Sequence, residues 1–445
     1  MKLMHKILPY LFLGYVISVP AQELDLAAAI DMAKSNNRTL QNAKTDITIA
    51  RQKRWETIAI GLPQVSLSAG YTNALKQPVS LIPAEFFGGQ MGEFNEVVFG
   101  TEQSANAGLR LEQLIFDGSY LVGLQASEIF LRISKQAYTK TQHAITQATV
   151  DAYVNALLAE AQVEMVSQNL LIAEQNLNET RQVFANGLTE EENVQQIQLV
   201  VSSLQSSLNY SSQMAIVAKN VLCYVMGMNL NTPLTLSSNL EGLALQSQVE
   251  EVNSLTLNEN IDYQMAQNNI RAKELLFKLE RFKSLPRISA YLSGGYDGYN
   301  QEFSFTQPEQ DWFGRASFGL NLNVPVFSSF QSKAKRQQAK LALEQSKNQA
   351  ESTAQELLLE ESRLRNLVQF NLKNLKTTAE NLTLASEIER KNQIKFKEGL
   401  VSGFRLRQAQ TQLYDAQKNY LTAMQQLVVS KTSLSLLLNP VTNEE

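Results

Sequence analysis

The sequence is poor in the residues that build most reactive centres. Its 445 residues contain one cysteine, Cys223, and two histidines, His5 and His143. A single cysteine excludes an intrachain disulfide and a cysteine-based metal site. Cys223 is therefore expected as a small hydrophobe on the packed side of a helix. No histidine pair can form a metal site once an N-terminal leader carrying His5 is removed, and His143 is expected on a helix surface. There is no Ser/His/Asp set and no glycine-rich phosphate loop with its lysine. No catalytic residue, metal ligand or cofactor is assigned, and an enzyme is not expected. The balance of 39 Lys and Arg against 43 Asp and Glu is mildly acidic, which gives no footprint for nucleic acid. Past the N-terminus no run of eighteen apolar residues occurs, so no membrane helix is expected.

Glycine and proline, the main punctuators of helices, are absent from residues 124–186 and 326–398. Helices of such length would be rods of roughly 100 Å at about 1.5 Å per residue. Each run closes on the same signature, Phe-x-x-Gly-Leu. The first copy is Phe184, Gly187 and Leu188, and the second is Phe396, Gly399 and Leu400. A further apolar-periodic run follows each. In the first, Val194, Ile197, Val201, Leu204, Leu208, Ser211, Ala215, Ala218, Leu222 and Val225 are spaced alternately by three and four. In the second, Leu406, Ala409, Leu413, Ala416, Tyr420, Ala423, Leu427, Ser430, Leu434 and Leu437 repeat that spacing at a constant offset of 212. A seven-residue apolar repeat marks a coiled-coil seam. Val368, Leu372, Leu375, Ala379 and Leu382 extend it into the second rod. Each repeat is thus expected to hold an antiparallel helical hairpin with Gly187 or Gly399 at its tip.

The N-terminus reads as a signal peptide over residues 1–21. Lys2 and Lys6 precede an apolar stretch at 7–19, and Val19-Pro20-Ala21 resembles a cleavage site. No cysteine follows it, so a lipid anchor is not expected. Removing the two lysines takes the net charge from −4 to −6. The remainder divides into repeat one at 22–240 and repeat two at 241–445.

In repeat one Val65, Leu67, Ala69 and Tyr71 alternate with Ser66, Ser68, Gly70 and Thr72, which is strand periodicity. Strands are expected at about 64–72 and 104–116, joined by a loop, and in repeat two at about 287–296 and 313–327. The expected tips lie near 184–192 and 396–405. Four strands cannot close a membrane barrel, whose smallest forms have about eight. An open sheet in lipid leaves its edge groups without partners, so several chains must share one barrel. The residues alone do not choose among two, three or four. Two rival readings stay open: a soluble α+β protein with a half-exposed sheet, and a periplasmic coiled-coil adaptor or structural spacer.

Taken together, the chain resembles the TolC-like outer-membrane efflux protein family over essentially its whole mature length. The resemblance rests on the A-I-x-x-A-x-x-N-N opening from Ala29 to Asn37, the two Leu-Pro junctions between helix and strand, the two aromatic-x-x-Gly tips and the register Gln408-Ala409-Gln410. It implies a mainly α fold with a β-barrel part. Duplicated helical hairpins would build an α-barrel tunnel, and four strands per chain would enter a shared twelve-strand barrel of a homotrimer. It also implies a passive outer-membrane exit duct that meets outer-membrane lipid, a periplasmic adaptor (membrane fusion protein) and an inner-membrane pump. By the same resemblance Phe184, Gly187, Leu188, Phe396, Gly399 and Leu400 are the adaptor-docking residues. The acidic pair that narrows the periplasmic mouth in relatives falls on Arg405 and Gln408. This chain therefore departs from the pattern, with Arg407 also nearby, and Glu190, Glu191 and Glu192 at the other tip are candidate partners for the arginines. Tyr296 and Trp312, at a strand end, are candidates for a membrane aromatic girdle.

Overall fold

A computed structural model describes residues 23–246 and 254–438; the expected signal peptide lies outside them. The chain starts with β1 (Glu23–Leu24), α1 (Leu26–Asn36) and α2 (Arg38–Ala59), which lead to β2 (Gln64–Asn73). The expected loop then contains a hairpin of β3 (Val79–Pro83) and β4 (Phe94–Val98). Next come β5 (Gln103–Asp117), α3 (Gly118–Ala185), α4 (Glu191–Val225), β6 (Thr235–Leu236) and α5 (Leu240–Gln246). The second half runs α6 (Ile261–Phe282), β7 (Arg287–Asn300), β8 (Trp312–Asn323), α7 (Gln331–Lys397) and α8 (Gly403–Leu438). Two compact units form, and each draws on both halves of the sequence. One comprises Thr45–Ala137 and Asp262–Thr353; the other comprises residues up to 44, 138–261 and those from 354 onward.

The first unit is built on a four-stranded antiparallel sheet in the order β2-β5-β7-β8. Its register sorts the side chains by character. One row across the strands joins Val65, Leu111, Leu292 and Phe318, and the row beside it on the same face joins Leu67, Leu109, Gly294 and Ala316. No charged residue falls on this face from β2 to β8. Rows on the opposite face join Ser66, Arg110, Ser293 and Ser317, and Gly70, Asn106, Asp297 and Phe313. The ion pairs of the sheet lie there, with Arg315 2.9 Å from Asp297 and Arg110 3.9 Å from Glu112. The Arg110 guanidinium also sits 4.3 Å from the centre of the Tyr291 ring. That ring occupies the space over Gly319, where an added Cβ would come within 2.6 Å of it.

Among the described residues nothing covers the apolar face. Leu67 is 73% and Phe318 71% exposed. A soluble sheet would pack a helix against such a face, so the half-exposed α+β reading does not hold. An uncharged outer face opposite an ion-paired one is the pattern of a barrel wall between lipid and water. Tyr71, Phe303, Phe305 and Trp312 cluster at the rim that carries the loops, edge to face or tilted, with ring centres 5.6–6.2 Å apart. Trp312 thus belongs to an aromatic rim, while Tyr296 lies one row further in. The last strand stops at Asn323, short of the expected 327, because Pro325 has no N–H to give the ladder.

The second unit contains both hairpins. All twenty seam positions of α4 and α8 are buried or half-buried. The 212-residue offset extends into the long helices, where Ala152, Ala156, Ala159 and Ala173 are buried at the positions of Leu364, Val368, Asn371 and Ala385. One expected seam residue is displaced: Leu372 is exposed, and buried Asn371 takes its place. The Asn371 amide donates to Ser430 Oγ at 3.0 Å and to the Gln426 carbonyl at 3.1 Å. These bonds hold it in a position that the apolar pattern assigned to its neighbour. Cys223 is buried, with Sγ 3.8 Å from the Thr232 carbonyl. Around the hairpin bases, Tyr153 is fully buried; its hydroxyl donates to the Leu24 carbonyl at 2.7 Å and accepts from Ser238 N–H at 3.4 Å.

The two faces of the sheet respond differently to charge. Leu292→Lys places an ammonium on the apolar face, at a cost of about 2–4 kcal/mol near a bilayer midplane. Ser293→Lys places it on the polar face. The first is expected to reduce the heat-stable, membrane-extracted form strongly and the second hardly at all. Equal yields of both variants would remove the assignment of faces.

Candidate functional site at the hairpin tips

The tips are identical in backbone design. Gly187 and Gly399 have φ of +73° and +69°, a left-handed conformation that glycine adopts without penalty. Gly187 N–H donates to the Phe184 carbonyl at 2.8 Å and Leu188 N–H to the Val183 carbonyl at 3.1 Å. Gly399 and Leu400 repeat the pair, to Phe396 at 3.0 Å and to Lys395 at 2.8 Å. This is the Schellman motif, which satisfies the last carbonyls of a helix. It explains both glycines structurally. It does not explain the leucines, which are 77% and 73% exposed. Each tip therefore presents an apolar side chain to water, flanked by exposed Phe184 in one and half-buried Phe396 in the other.

The candidate aperture residues do not all share a face. Arg405 and Gln408, one turn apart on α8, are exposed, and Gln412, Asp415 and Asn419 continue their stripe. Arg407 is half-buried, with its guanidinium 5.3 Å from the Phe404 ring. Glu190, Glu191 and Glu192 are exposed at the start of α4, where negative charge suits the helix dipole. Among the described residues no ion pair within one chain joins them to Arg405 or Arg407, so the expected pairing is absent. Glu191 accepts instead from Gln195 at 3.1 Å.

Polar contacts join the two hairpins near the tips. The Asn193 carboxamide oxygen accepts from the Gly403 N–H at 2.9 Å, capping a first-turn donor of α8 from the neighbouring hairpin. Gly403 is buried, and an added Cβ would meet that oxygen at 2.9 Å. Lys397 pairs with Glu179 at 2.8 Å. Gln393 donates to Asn176 at 3.1 Å, and Asn169 donates to Gln417 at 2.8 Å. Asn176 Nδ2 and Gln196 Oε1 are buried without partners, and each such group costs about 1–3 kcal/mol. The composition of the seams did not reveal this polar interface; asparagines at helix positions 169, 176 and 193 were its only signal.

Inside the second hairpin, burial raises the Glu389 carboxyl above its ordinary value, and a hydrogen bond with Gln410 acts the other way. Burial, with the Glu389 charge second, pushes the Tyr414 hydroxyl up to about 12. Among the described residues no group of His, Cys, Asp and Glu could hold a metal, and no helix is long and apolar enough to cross a membrane. The groove along α7 and α8 is lined by the Thr378 hydroxyl, the amides of Asn381, Gln412 and Asn419, the Asp415 carboxylate and apolar Leu384, Ala385, Ile388 and Ala416.

A sheet with a lipid-compatible face, combined with duplicated coiled-coil hairpins, defines a membrane protein of strand-built spans and helical extensions. The chain belongs to the outer membrane efflux protein family, which matches residues 29–239 and 252–440. It is 20% identical over 455 residues to the outer membrane protein TolC of Vibrio cholerae, covering 99% of this chain and 97% of that one. In fold it is similar to the channel protein CusC, with a TM-score of 0.75 at 18% identity over 94% of this chain and 93% of that one. It is also similar to the open state of the Neisseria gonorrhoeae MtrE outer membrane channel, with a TM-score of 0.74 at 17% identity over 93% and 88%. The protein is thus an outer-membrane protein.

The raised carboxyl makes stability depend on pH. The folded chain keeps a proton on Glu389 that the unfolded chain has released, so this group's contribution to stability is greatest below 4.5. It falls as pH rises from 4.5 through the raised value and is level above it. Glu389→Gln should flatten that part of the profile of urea midpoints between pH 4 and 8. Asp151, raised by burial in the same direction, keeps its own part in the variant. Superimposable profiles would mean that Glu389 is solvated.

Proposed function

We propose that the protein is the passive outer-membrane exit duct of a tripartite efflux or secretion assembly, exported by its N-terminal signal peptide and active as a homotrimer. The observation that carries this is the sheet with one uncharged exposed face, one ion-paired face and two open edges. Three copies, edge β8 against edge β2, supply twelve strands, close the wall and turn the charged face to a water-filled lumen. The duct performs no bond chemistry. The energy comes from an inner-membrane pump, and a periplasmic adaptor couples the two. The Phe-x-x-Gly-Leu tips are the docking points, because their exposed leucines have no structural duty in a lone chain. The polar interface between the hairpins is the gate, since a seam with two orphaned amide atoms and an exposed ion pair separates more easily than an apolar one. A coiled-coil spacer would use the hairpins equally well but has no need of the lipid-compatible sheet.

Planar-bilayer recording of the purified trimer tests the duct. Asn193→Ala combined with Lys397→Glu loosens the gate and should raise conductance several-fold. A trimer silent in both forms would sink the reading. In the same recordings Arg405→Asp should shift the reversal potential in a salt gradient towards cation preference, because a ring of three such residues sets the local field. An unchanged potential would put Arg405 outside the lumen.

Docking is tested separately. Leu188→Asp with Leu400→Asp is expected to abolish crosslinking to the periplasmic adaptor while leaving trimer yield and conductance intact. Undiminished crosslinking would move the docking surface away from the tips.

A further inference from the structure

The rim where the sheet passes into helices carries a surface that neither duct nor docking uses. The alternation of the apolar face continues from Leu322 at the end of β8 through Val324 to Val326, which is 92% exposed. The turn into α7 then holds Ser329 and Phe330 at φ of +47° and +65°. A bulky residue in the left-handed region is a genuine exception and is strained. The effect of the turn is to display two rings. Phe327 and Phe330 are 77% and 72% exposed and meet edge to face at 6.2 Å. In water such a display is unfavourable; at the headgroup level of a bilayer it is where aromatic rings are enriched.

Beyond the rings the chain turns basic. Lys333, Lys335, Arg336 and Lys340 are all exposed, and among the described residues none joins an ion pair. The first acidic residue of α7 is Glu344. Cations in the first turns oppose the helix dipole, so helix stability does not account for them. Packing does not either, because the matching stretch of repeat one, residues 118–131, contains no Lys or Arg. Lys333 to Arg336 span about 5 Å along the helix axis, close to the depth of one headgroup layer.

We propose that the β8–α7 junction is a binding surface for anionic phospholipid. Val326, Phe327 and Phe330 enter the acyl boundary of the leaflet facing the helices, and Lys333, Lys335 and Arg336 hold lipid phosphates above them. This rests on the outer-membrane reading of the sheet and gives the duct a fixed height in its membrane. A basic segment beside a membrane-embedded surface attracts anionic lipid by roughly fivefold per cation.

The test uses the full-length trimer in bilayers of phosphatidylcholine with a minor share of phosphatidylglycerol, with retained phosphatidylglycerol counted by native mass spectrometry. The wild type should retain it selectively, and retention should fall steeply with added salt. The combined variant Lys333→Gln, Lys335→Gln and Arg336→Gln should retain at least about tenfold less while conducting normally. Equal retention in the variant, or wild-type retention indifferent to salt, overturns the proposal. So does displacement of the lipid by inorganic phosphate at equal concentration, which would make the ligand free phosphate. A shifted reversal potential with retention unchanged would assign the three cations to the lumen and also overturns it. Failure of the wild type to insert in bilayers of any charge would instead strike the duct reading.

Discussion

Backbone pairing at the edges of one sheet sets the terms for the rest of this protein. A peptide group in hydrocarbon has no water to bond to. β2 and β8 each leave one side unpaired within the chain, and the face they share carries no charge. A soluble protein manages such edges with charges, bulges or a covering helix. Here the outer strands keep Leu67, Phe318, Leu320 and Leu322 exposed and have no cover. Those edges can be satisfied only by copies of the same sheet. Closure then fixes the sidedness: one face is left for lipid, and Arg110, Glu112, Asp297 and Arg315 must share the interior with water.

The hairpins solve a different problem with different means. Their seams use alanine and serine nearly as often as leucine, which brings helices close around small hydrophobic clusters. Specificity then has to come from polar contacts. Asn371, held by Ser430 and the Gln426 carbonyl, acts like the buried asparagine that fixes register in a coiled coil. Between hairpins the same device is used incompletely, with Asn176 Nδ2 and Gln196 Oε1 left without partners. A fully satisfied network would lock the hairpins together; an apolar one would not choose a register. A partly satisfied one holds a defined arrangement at low stability.

Much of this was legible in the sequence because it depends on period. Residue spacing alone placed the seams, since every repeat of seven meets the same facing helix, and the strand pairs, since a period of two sorts side chains to faces. What escaped depended on single contacts or on missing backbone donors. The β3–β4 hairpin was hidden because its strands are five residues each, with Pro78 before the first, Pro83 at its end and four glycines close by. The seam falls on Asn371 rather than Leu372, as it does on the matching Ala159; two hydrogen bonds satisfy the amide there, which an apolar count passes over. At the site, the tips were found from a repeated pentapeptide. The cross-hairpin bond from Gly403 to Asn193 was not, because a backbone N–H leaves no trace in a sequence pattern.

The duplication itself separates packing from function. Both repeats obey one set of spatial demands, visible in buried positions that coincide at an offset of 212. Residues that packing requires should therefore agree in kind between copies, and most do. Two departures differ in charge. At the tips, α4 opens on Glu191 and Glu192, which its dipole favours, whereas α8 opens on Arg405 and Arg407, which its dipole opposes. At the sheet-to-helix junctions, α3 opens without a cation, whereas α7 opens on Lys333, Lys335 and Arg336. In both places repeat two carries charge against its own helix. A local rule broken twice, in the same repeat and with the same sign, is hard to attribute to folding. Charge that folding does not ask for is where a role other than packing is to be sought.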